Sequence, residues 1–382
     1  SDYYVHPAFT NESSINYANG GWDKELTGIW VAKFEAGYAS GNNNAEVKES
    51  SVKYTETSAY VSGVEVGGND TTTTAGNWLD GEYGVKNSDG TYAFKNGVAP
   101  AIKYPTFQGA TYSMNYINMN DAFNISKALT EEGNIYGFRD STSDSHLMKK
   151  SEWGAVAYLG YSEYGLNKQE VYINNINLNN TTKSVYAVTG VTTGTVDGDS
   201  KETTIENIKL VSGNNSNSDG VYLWNQIEGQ KASSTGNMYG IFDLSGGTWE
   251  RTAGYVANGN SNLKTYGASL AYDKDTLRTT STKYATVYPH NERTSGDIDT
   301  ESKNNYESNT KIFGDAIRET STSGIGSSGW NDDCSYFPAL YGPFALRGGY
   351  YWDTSSAGLF AFARTDGYSF FHYGFRPAVV SL

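Results

Sequence analysis

The feature that most restricts how this chain can fold is the segment from Ala345 to Arg376. It crowds Tyr and Phe together with Asp, Ser, Arg, His and Gly. A fully buried strand would be more uniformly apolar, and a solvated tail would not carry so many aromatic side chains. The segment therefore forms either one edge of a core or a binding surface.

The composition favours a folded, turn-rich and strand-rich surface protein. The 382 residues are 37% hydrophobic, which is enough to bury a substantial core. Tyr occurs 31 times and Gly 43 times, as is typical of strands joined by many turns. The net charge of −14 disfavours binding to phosphate backbones or anionic membranes, so no nucleic acid partner is expected.

Cys334 is the one cysteine, so neither an intramolecular disulfide nor a cysteine metal cluster can form. Cys334 is expected to be an ordinary small side chain, since the sequence indicates no base beside it. The chain has no run of about 18 apolar residues, which predicts no membrane insertion. Residues 1–5 do not resemble a signal peptide.

The order of patterns along the chain predicts one domain over residues 1–382. Residues 26–36 favour a strand, with Ile29, Val31 and Phe34 facing the core. Two polar regions, at about 37–105 and 166–235, are interpreted as surface insertions of loops and short hairpins, with a turn signal at 88–90. No interdomain linker is evident.

Two main helices are predicted. The first begins at the capping side chains of residues 118–121 and ends at Gly133. The second runs from about Lys149 to Gly160. The apolar residues at helical spacing are Met119, Ala122, Ile125 and Leu129 in the first helix, and Trp153, Val156, Ala157 and Gly160 in the second.

Three sequence islands resemble the formylglycine-generating-enzyme-like branch of the C-type lectin fold. The first, His146–Ala157, is similar to the family's Leu-Pro-Thr-Glu-x-Glu-Trp-Glu helix, with Lys149 in place of the capping Thr. The second, Gly240–Glu250, is close to the family's Gly-Leu-x-Asp-Met-x-Gly-Asn-Val-Trp-Glu. The third pairs an Arg-Gly-Gly at 347–349 with a Gly-Phe-Arg at 374–376.

This resemblance implies an α+β fold with few regular elements, two main helices, short strands and long loops. Residues 28–35 are similar to the first strand of the variant found in phage tail and bacterial surface proteins. The resemblance also implies that the C-terminal segment, residues 345–382, faces the ligand. It assigns a set of residues in this segment to the scaffold: Arg347, Gly348, Gly349, Trp352, Ala357, Gly358, Phe360, Gly374, Phe375 and Arg376.

The same comparison predicts that the chain is not an enzyme. Oxidase members carry a copper-binding cysteine pair after Arg-Gly-Gly, because thiolates suit Cu(I), and by register these positions fall near Asp353 and Gly358. An iron-dependent branch uses clustered histidines, whereas the histidines here are dispersed in sequence: His6, His146, His290 and His372. The Gly-x-Ser-x-Gly elbow of serine hydrolases is also missing from the sequence.

No cofactor is predicted, with structural calcium kept as an alternative. Asp332 with Asp333, and Asp197 with Asp199, could ligate calcium through carboxylate oxygens. Asp-Gly is first of all a turn signal, so these pairs have an ordinary explanation too.

Between the scaffold positions lie the candidate ligand-binding residues. Tyr supplies contact area at low entropic cost, Arg and Asp supply direction, and Ser adapts to its partner. The candidates are Tyr350, Tyr351, Asp353, Ser355, Ser356, Phe362, Arg364, Asp366, Tyr368, Ser369, Phe370, Phe371, His372 and Tyr373.

The functional hypothesis is a diversified receptor-binding surface. Similar proteins include the variable proteins of diversity-generating retroelements, in which adenine randomisation yields Tyr, Ser, Asp, His, Phe, Arg and Asn. Residues 350–373 contain no Lys, Glu, Gln or Met. The expected partner is a host cell-surface protein or glycan, met on a virion tail or bacterial cell surface. The alternatives are a structural decoration module, a lectin of fixed glycan specificity, an enzyme that uses an unrecognised site, and a fixed core that buries these aromatic residues.

Overall fold

The computed structural model describes residues 5–11, 20–37, 59–61, 64–66, 84–86, 92–94, 105–109, 113–114, 117–132, 134, 136–174, 186–188, 221–293, 296–327, 330–351, 353–370 and 372–382. These residues form four helices and several sheets, which confirms the mixed α and β composition predicted from the sequence. No helix among them is long and apolar enough to cross a bilayer.

Both predicted helices are present. Helix α1 spans Met119–Ala128, and the side chain of Asn118 accepts the backbone N–H of Asp121 at 2.9 Å. Helix α2 spans Lys150–Tyr161. The carboxylate of Glu152 accepts the backbone N–H of Lys149 at 2.8 Å, so the helix start is capped from within although the usual Thr is missing.

The prediction of two main helices was incomplete. Helix α3 spans Ser261–Ala271 and begins at the capping side chain of Asn260. Helix α4 spans Ile298–Ser308 and begins at that of Asp297. The sequence of α4 is strongly polar, and its few apolar side chains do not form the stripe by which a helix is predicted.

The strands are short. In chain order they are β1 (Trp30–Val31), β2 (Ala59–Val61), β3 (Val64–Val66), β4 (Gly84–Lys86), β5 (Tyr92–Phe94), β6 (Ser143–Leu147), β7 (Ile173–Asn174), β8 (Tyr186–Val188), β9 (Val221–Leu223), β10 (Trp249–Val256), β11 (Tyr272–Asp273), β12 (Thr276–Leu277), β13 (Thr286–Tyr288), β14 (Ile325–Gly326), β15 (Ser335–Tyr336), β16 (Phe344–Gly348), β17 (Gly358–Thr365), β18 (Tyr373–Phe375) and β19 (Pro377–Ser381).

Two sheets organise the molecule. In the larger one the order is β13-β10-β16-β17-β15-β14, and β18 pairs with β10 in parallel. In the smaller one β19 lies between β1 and β6 and runs antiparallel to both. The strand predicted over residues 26–36 is therefore shorter than expected. Phe34 is buried as predicted, whereas Trp30 is 75% exposed.

The predicted insertions lie largely outside the described residues. Strands β4 and β5 pair antiparallel on either side of the turn signal at 88–90. Strands β7, β8 and β9 pair in parallel, an arrangement that turn chemistry alone did not indicate.

Helices cover both faces of the larger sheet. Helices α1 and α3 pack with Ala253 and Tyr255 on one face. On the other face, Tyr306 of α4 packs with Val256 and Phe362, and the Trp153 Nε1 of α2 donates to the carbonyl of Leu359 at 2.8 Å. Successive residues of a strand point to opposite faces, so the sheet divides the C-terminal segment between two environments.

Candidate ligand-binding surface

The candidate site lies at the connection between the end of β17 and the start of β18. Strand β18 lies in register with the start of β10, where Tyr373 pairs with Trp249 and Gly374 with Glu250. A Cβ at Gly374 would lie 2.2 Å from Thr248 Oγ1, so this close approach requires glycine. The return strand is thereby fixed against the core.

The rings of Tyr350, Phe370 and Tyr373 lie around that of His372 and form a cluster of four with it. The His372 ring centroid lies 4.7 Å from that of Tyr350, 4.8 Å from that of Phe370 and 4.4 Å from that of Tyr373. Phe370 is 42% exposed, while the other three are partly buried. The contacts with Phe370 and Tyr373 are edge-to-face, and the contact with Tyr350 is tilted. Such contacts pack the rings against one another while leaving apolar area accessible.

His372 is uncharged at neutral pH. Burial lowers its pKa to about 3, and the nearby Arg251 guanidinium acts in the same direction. Its ring therefore contributes apolar and hydrogen-bonding contacts to this surface, and no positive charge.

Arg251 of β10 packs against the ring cluster, although it was not among the site residues predicted from the sequence. Its guanidinium lies 4.9 Å from the Tyr373 ring centroid. Its Nε donates to the carbonyl of Ile117 at 2.9 Å, and its Nη2 donates to that of Tyr368. Arg251 is fully buried, so the arginine anchors the C-terminal segment to the sheet and to the residues just before α1. The sequence signal that could have indicated Arg251 was a charged residue within a segment that otherwise has the pattern of a buried strand.

Asp353 shapes the edge of the surface. One of its carboxylate oxygens accepts the backbone N–H of Tyr350 at 3.0 Å. Burial raises the pKa of Asp353 to about 6. A short three-ten turn at Thr354–Ser356 follows, and it leaves Ser355 exposed. We define the C-terminal aromatic surface as Tyr350, Asp353, Ser355, Phe370, His372 and Tyr373.

Three predicted site residues lie in the interior. Tyr351, Phe362 and Ser369 are at most 4% exposed. Phe362 packs against Val256 and Tyr288 on the sheet face opposite the aromatic rings. These three side chains therefore contribute packing, and the accessible surface is smaller than the sequence indicated.

Arg364 is also directed away from the rings. Its guanidinium donates to Asp299 and Ser302 of α4, each at 2.7 Å. Ser356, Asp366 and Tyr368 remain at least partly accessible at the margins of the surface. Phe371 and Trp352 lie outside the described residues.

Cys334 borders the aromatic surface from the core side. Burial raises the pKa of its thiol to about 12, and the carboxylates of Asp353 and Asp333 add to the effect. The thiol is therefore protonated at neutral pH, and a protonated thiol is a poor nucleophile.

Asp332 and Asp333, the acidic pair predicted as a possible calcium site, lie in different environments. Asp333 is fully buried, and its Oδ2 accepts the backbone N–H of Phe360 at 3.0 Å, whereas Asp332 is exposed. Within the described ranges, no three His, Cys, Asp or Glu side chains are grouped so that they could hold a metal ion. Asp197 and Asp199 lie outside those ranges.

Comparisons with known proteins add no identification. No protein-family model matches the sequence, and a search of curated proteins gives no match.

Proposed function

We propose that this chain is a non-enzymatic binding protein whose C-terminal aromatic surface contacts a host cell-surface protein or glycan. The observation that carries this proposal is the cluster of four rings formed by His372, Tyr350, Phe370 and Tyr373. Phe370 is exposed in this cluster, Asp353 bonds to the N–H of Tyr350, and Ser355 is exposed. Rigid aromatic rings flanked by small polar side chains are typical of protein recognition surfaces, and ring faces also stack on sugars.

The charges around the rings favour an uncharged ligand or one that offers hydrogen-bond donors. Asp353 and Asp366 supply carboxylates at this surface. The two nearby arginines are engaged elsewhere: Arg251 is buried beneath Tyr373, and Arg364 bonds to α4. An anionic ligand would therefore meet carboxylates without an accessible cation.

For the fold, we infer the formylglycine-generating-enzyme-like branch of the C-type lectin fold. Two contacts between the sequence islands support this inference. Trp153 of the first island bonds to the segment between the two parts of the third, and Glu250 of the second island is paired with Arg376. The proposed setting is a virion tail or a bacterial cell surface.

Within this proposal the surface belongs to a retroelement variable protein. Tyr, Asp, Ser, Phe and His, the residue types of the C-terminal aromatic surface, all occur among the products of adenine randomisation. The buried scaffold residues Arg347 and Arg376 would be fixed because each fills a site in the core.

A second candidate function is a structural decoration module without ligand recognition. The observation that favours it is the burial of Tyr351 and Phe362, since aromatic residues of this segment then serve the core. A lectin of fixed glycan specificity would use the same surface without sequence variation.

Sequencing the corresponding gene segment across a natural population tests the diversification. Substitutions should concentrate at the six residues of the C-terminal aromatic surface and spare the buried Tyr351 and Phe362. If these six positions vary no more than Trp153 of α2, the segment is not diversified. A fixed lectin or a structural module would then be the better explanation.

A further inference from the structure

A tyrosine of α3 lies against the bend that leads from β17 to the C-terminal aromatic surface. In this bend, residues 366–368, the carbonyl of Gly367 accepts the N–H of Met119, the first residue of α1, at 2.9 Å. A Cβ at Gly367 would lie 2.9 Å from the Cβ of Tyr266, so Tyr266 of α3 meets the bend at its glycine. The bend is therefore held in place by both α1 and α3.

The ring of Tyr266 pairs with that of Tyr368 at this bend. The two ring centroids lie 5.4 Å apart in an edge-to-face arrangement, and both side chains are half-buried. Arg251, which contacts the Tyr373 ring, also donates through Nη2 to the carbonyl of Tyr368. One buried arginine therefore supports the tyrosine pair as well as the ring cluster.

Asp366 places a carboxylate beside the two tyrosines. It is exposed, and its Oδ1 accepts the N–H of Tyr368 at 2.8 Å. The Thr365 hydroxyl lies 3.4 Å from the same oxygen. Among the residues that the structure describes, none bonds to Oδ2 of Asp366. The bend thus presents a fixed carboxylate whose second oxygen faces solvent or a ligand.

The charges around this bend are mainly negative. The carboxylates of Asp121, Asp353 and Asp366 lie within electrostatic reach of Arg251 or of the Tyr373 ring beside it. Burial raises the pKa of Asp121 and that of Asp353 to about 6, so both are ionised at pH 7.5. An exposed aspartate such as Asp366 is ionised as well. Arg251 balances one of these three charges, which leaves the site negative.

Two further cations on the elements that form the site are already paired. Arg364 of β17 lies 2.7 Å from a carboxylate oxygen of Asp299, and Lys264 of α3 lies 2.9 Å from one of Asp275. Each of these pairs is neutral as a unit. They therefore do not cancel the negative charge at Asp366.

We propose that Asp366, Tyr266 and Tyr368 form a subsite that receives a lysine or arginine side chain of a protein partner. Aromatic faces attract cations, and a carboxylate gives a charged donor a directed hydrogen bond. The inference rests on the function proposed above and narrows its ligand to a protein that presents a basic side chain, a group that neutral glycans lack. Tyr266 lies outside residues 350–373, so this part of the surface would stay constant if that segment is diversified.

Calorimetric titration with a tetralysine peptide, at pH 7.5 and low ionic strength, tests the subsite. The same peptide with acetylated side chains is the uncharged probe, and it should not bind. Asp366→Asn should weaken tetralysine binding about fivefold, the upper range for an exposed ion pair. Asparagine keeps an oxygen that can accept the Tyr368 N–H, so the bend should be preserved.

Tyr266→Leu tests the aromatic part of the subsite. Leucine keeps an apolar side chain against Gly367 but removes the ring, so tetralysine binding should weaken about threefold. Asp140→Asn is the control for net charge, because Asp140 is exposed in the turn before β6, and it should leave the affinity unchanged. Equal weakening in Asp366→Asn and Asp140→Asn, or no binding of tetralysine to the unsubstituted protein, would overturn the proposal.

Attachment of labelled protein to bacterial cells separates this inference from the proposed function. Both are supported if Phe370→Ala and Asp366→Asn each weaken attachment at low ionic strength. If only Phe370→Ala weakens it, the C-terminal aromatic surface binds its partner, and the lysine or arginine subsite is refuted. If Phe370→Ala attaches normally while tetralysine still binds Asp366→Asn more weakly, the proposed function is wrong and the cation subsite is retained.

Discussion

The guanidinium of Arg376 donates to both carboxylate oxygens of Glu250, with Nε 3.0 Å from Oε2 and Nη2 2.5 Å from Oε1. Both side chains are at most 1% exposed, and the residues are 126 positions apart. Arg376 also donates to the carbonyls of Ala32 and Phe242. One side chain thus ties together β10, the C-terminal strands and the segment that follows β1.

Burial raises the pKa of Glu250 to about 7, so above this pH Glu250 is the ionised partner of Arg376. At pH 8.5, Glu250→Gln should therefore destabilise the protein by roughly 3–5 kcal/mol, because it leaves the buried charge of Arg376 without its hydrogen-bonded counter-ion. Urea denaturation followed by tryptophan fluorescence measures the change in unfolding free energy. A loss below about 1 kcal/mol would mean that a group other than Glu250 compensates the charge of Arg376.

Glu35→Gln is the matched substitution in the same buried network and should cost little. Its carboxyl lies near Asp243 and Glu250, and burial together with these two charges raises the pKa of Glu35 well above its usual range. The folded protein therefore favours the protonated acid, which glutamine resembles in size. A loss as large as that of Glu250→Gln would show that Glu35 is ionised.

The stability of the native protein relative to Glu35→Gln should fall as the pH rises above 4.5. A carboxyl with a raised pKa binds its proton more tightly in the folded state, so deprotonation favours the unfolded chain. The slope is about 1.4 kcal/mol per pH unit up to the folded-state pKa. Urea titrations of both proteins between pH 4 and 8 measure it, and parallel curves would refute the assignment.

Phe370→Ala and Phe362→Ala should separate binding from packing. Phe370 is 42% exposed, so its removal should change the unfolding free energy by less than about 1 kcal/mol and should weaken attachment of labelled protein to bacterial cells. Phe362 is buried, and its removal should cost about 3–5 kcal/mol.

Tyr341→Ala is the control for attachment, because Tyr341 is 70% exposed and lies outside the C-terminal aromatic surface. Equal loss of attachment in Tyr341→Ala and Phe370→Ala would argue against a localised binding surface.

Gly374→Ala should destabilise the protein by about 1–3 kcal/mol, because the added methyl group would meet Thr248 Oγ1 at 2.2 Å. Gly28→Ala is the control, since a Cβ there has nothing within 4 Å. If both substitutions have the same effect in urea denaturation, the contact between β18 and the start of β10 is looser than described.

The His372 ring should not gain a proton between pH 5 and 8, since its pKa lies near 3. The Asp353 carboxyl should titrate near pH 6. NMR spectra of the imidazole and carboxyl groups across this range check both. An imidazole shift centred near pH 6.5 would show that His372 is hydrated and not buried among the rings.

The sequence predicted features that depend on local patterns. Capping side chains and apolar spacing predicted α1 and α2, because both signals lie within one or two turns of the helix itself. Helix α4 was missed because it is polar, and its position depends on tertiary contacts such as the bond from Ser302 to the carbonyl of Phe337.

The candidate site was predicted as a segment but not residue by residue. The aromatic content indicated residues 350–373 as the candidate segment. The sheet face that each side chain takes depends on strand register, which makes Phe362 the cross-strand partner of Arg347. Buried cations such as Arg251 and Lys150 were missed for a similar reason. In a sequence, lysine and arginine are normally interpreted as solvated.

The position of β19 in the smaller sheet has a consequence for biosynthesis. β1 and β6 flank this strand and pair through it. A ribosome translating the chain releases both flanking strands long before residues 377–381 emerge. Until then, β1 and β6 lack the strand that pairs with both of them in this sheet. The nascent protein is therefore most accessible to chaperones, and most prone to wrong strand pairing, just before β19 is added.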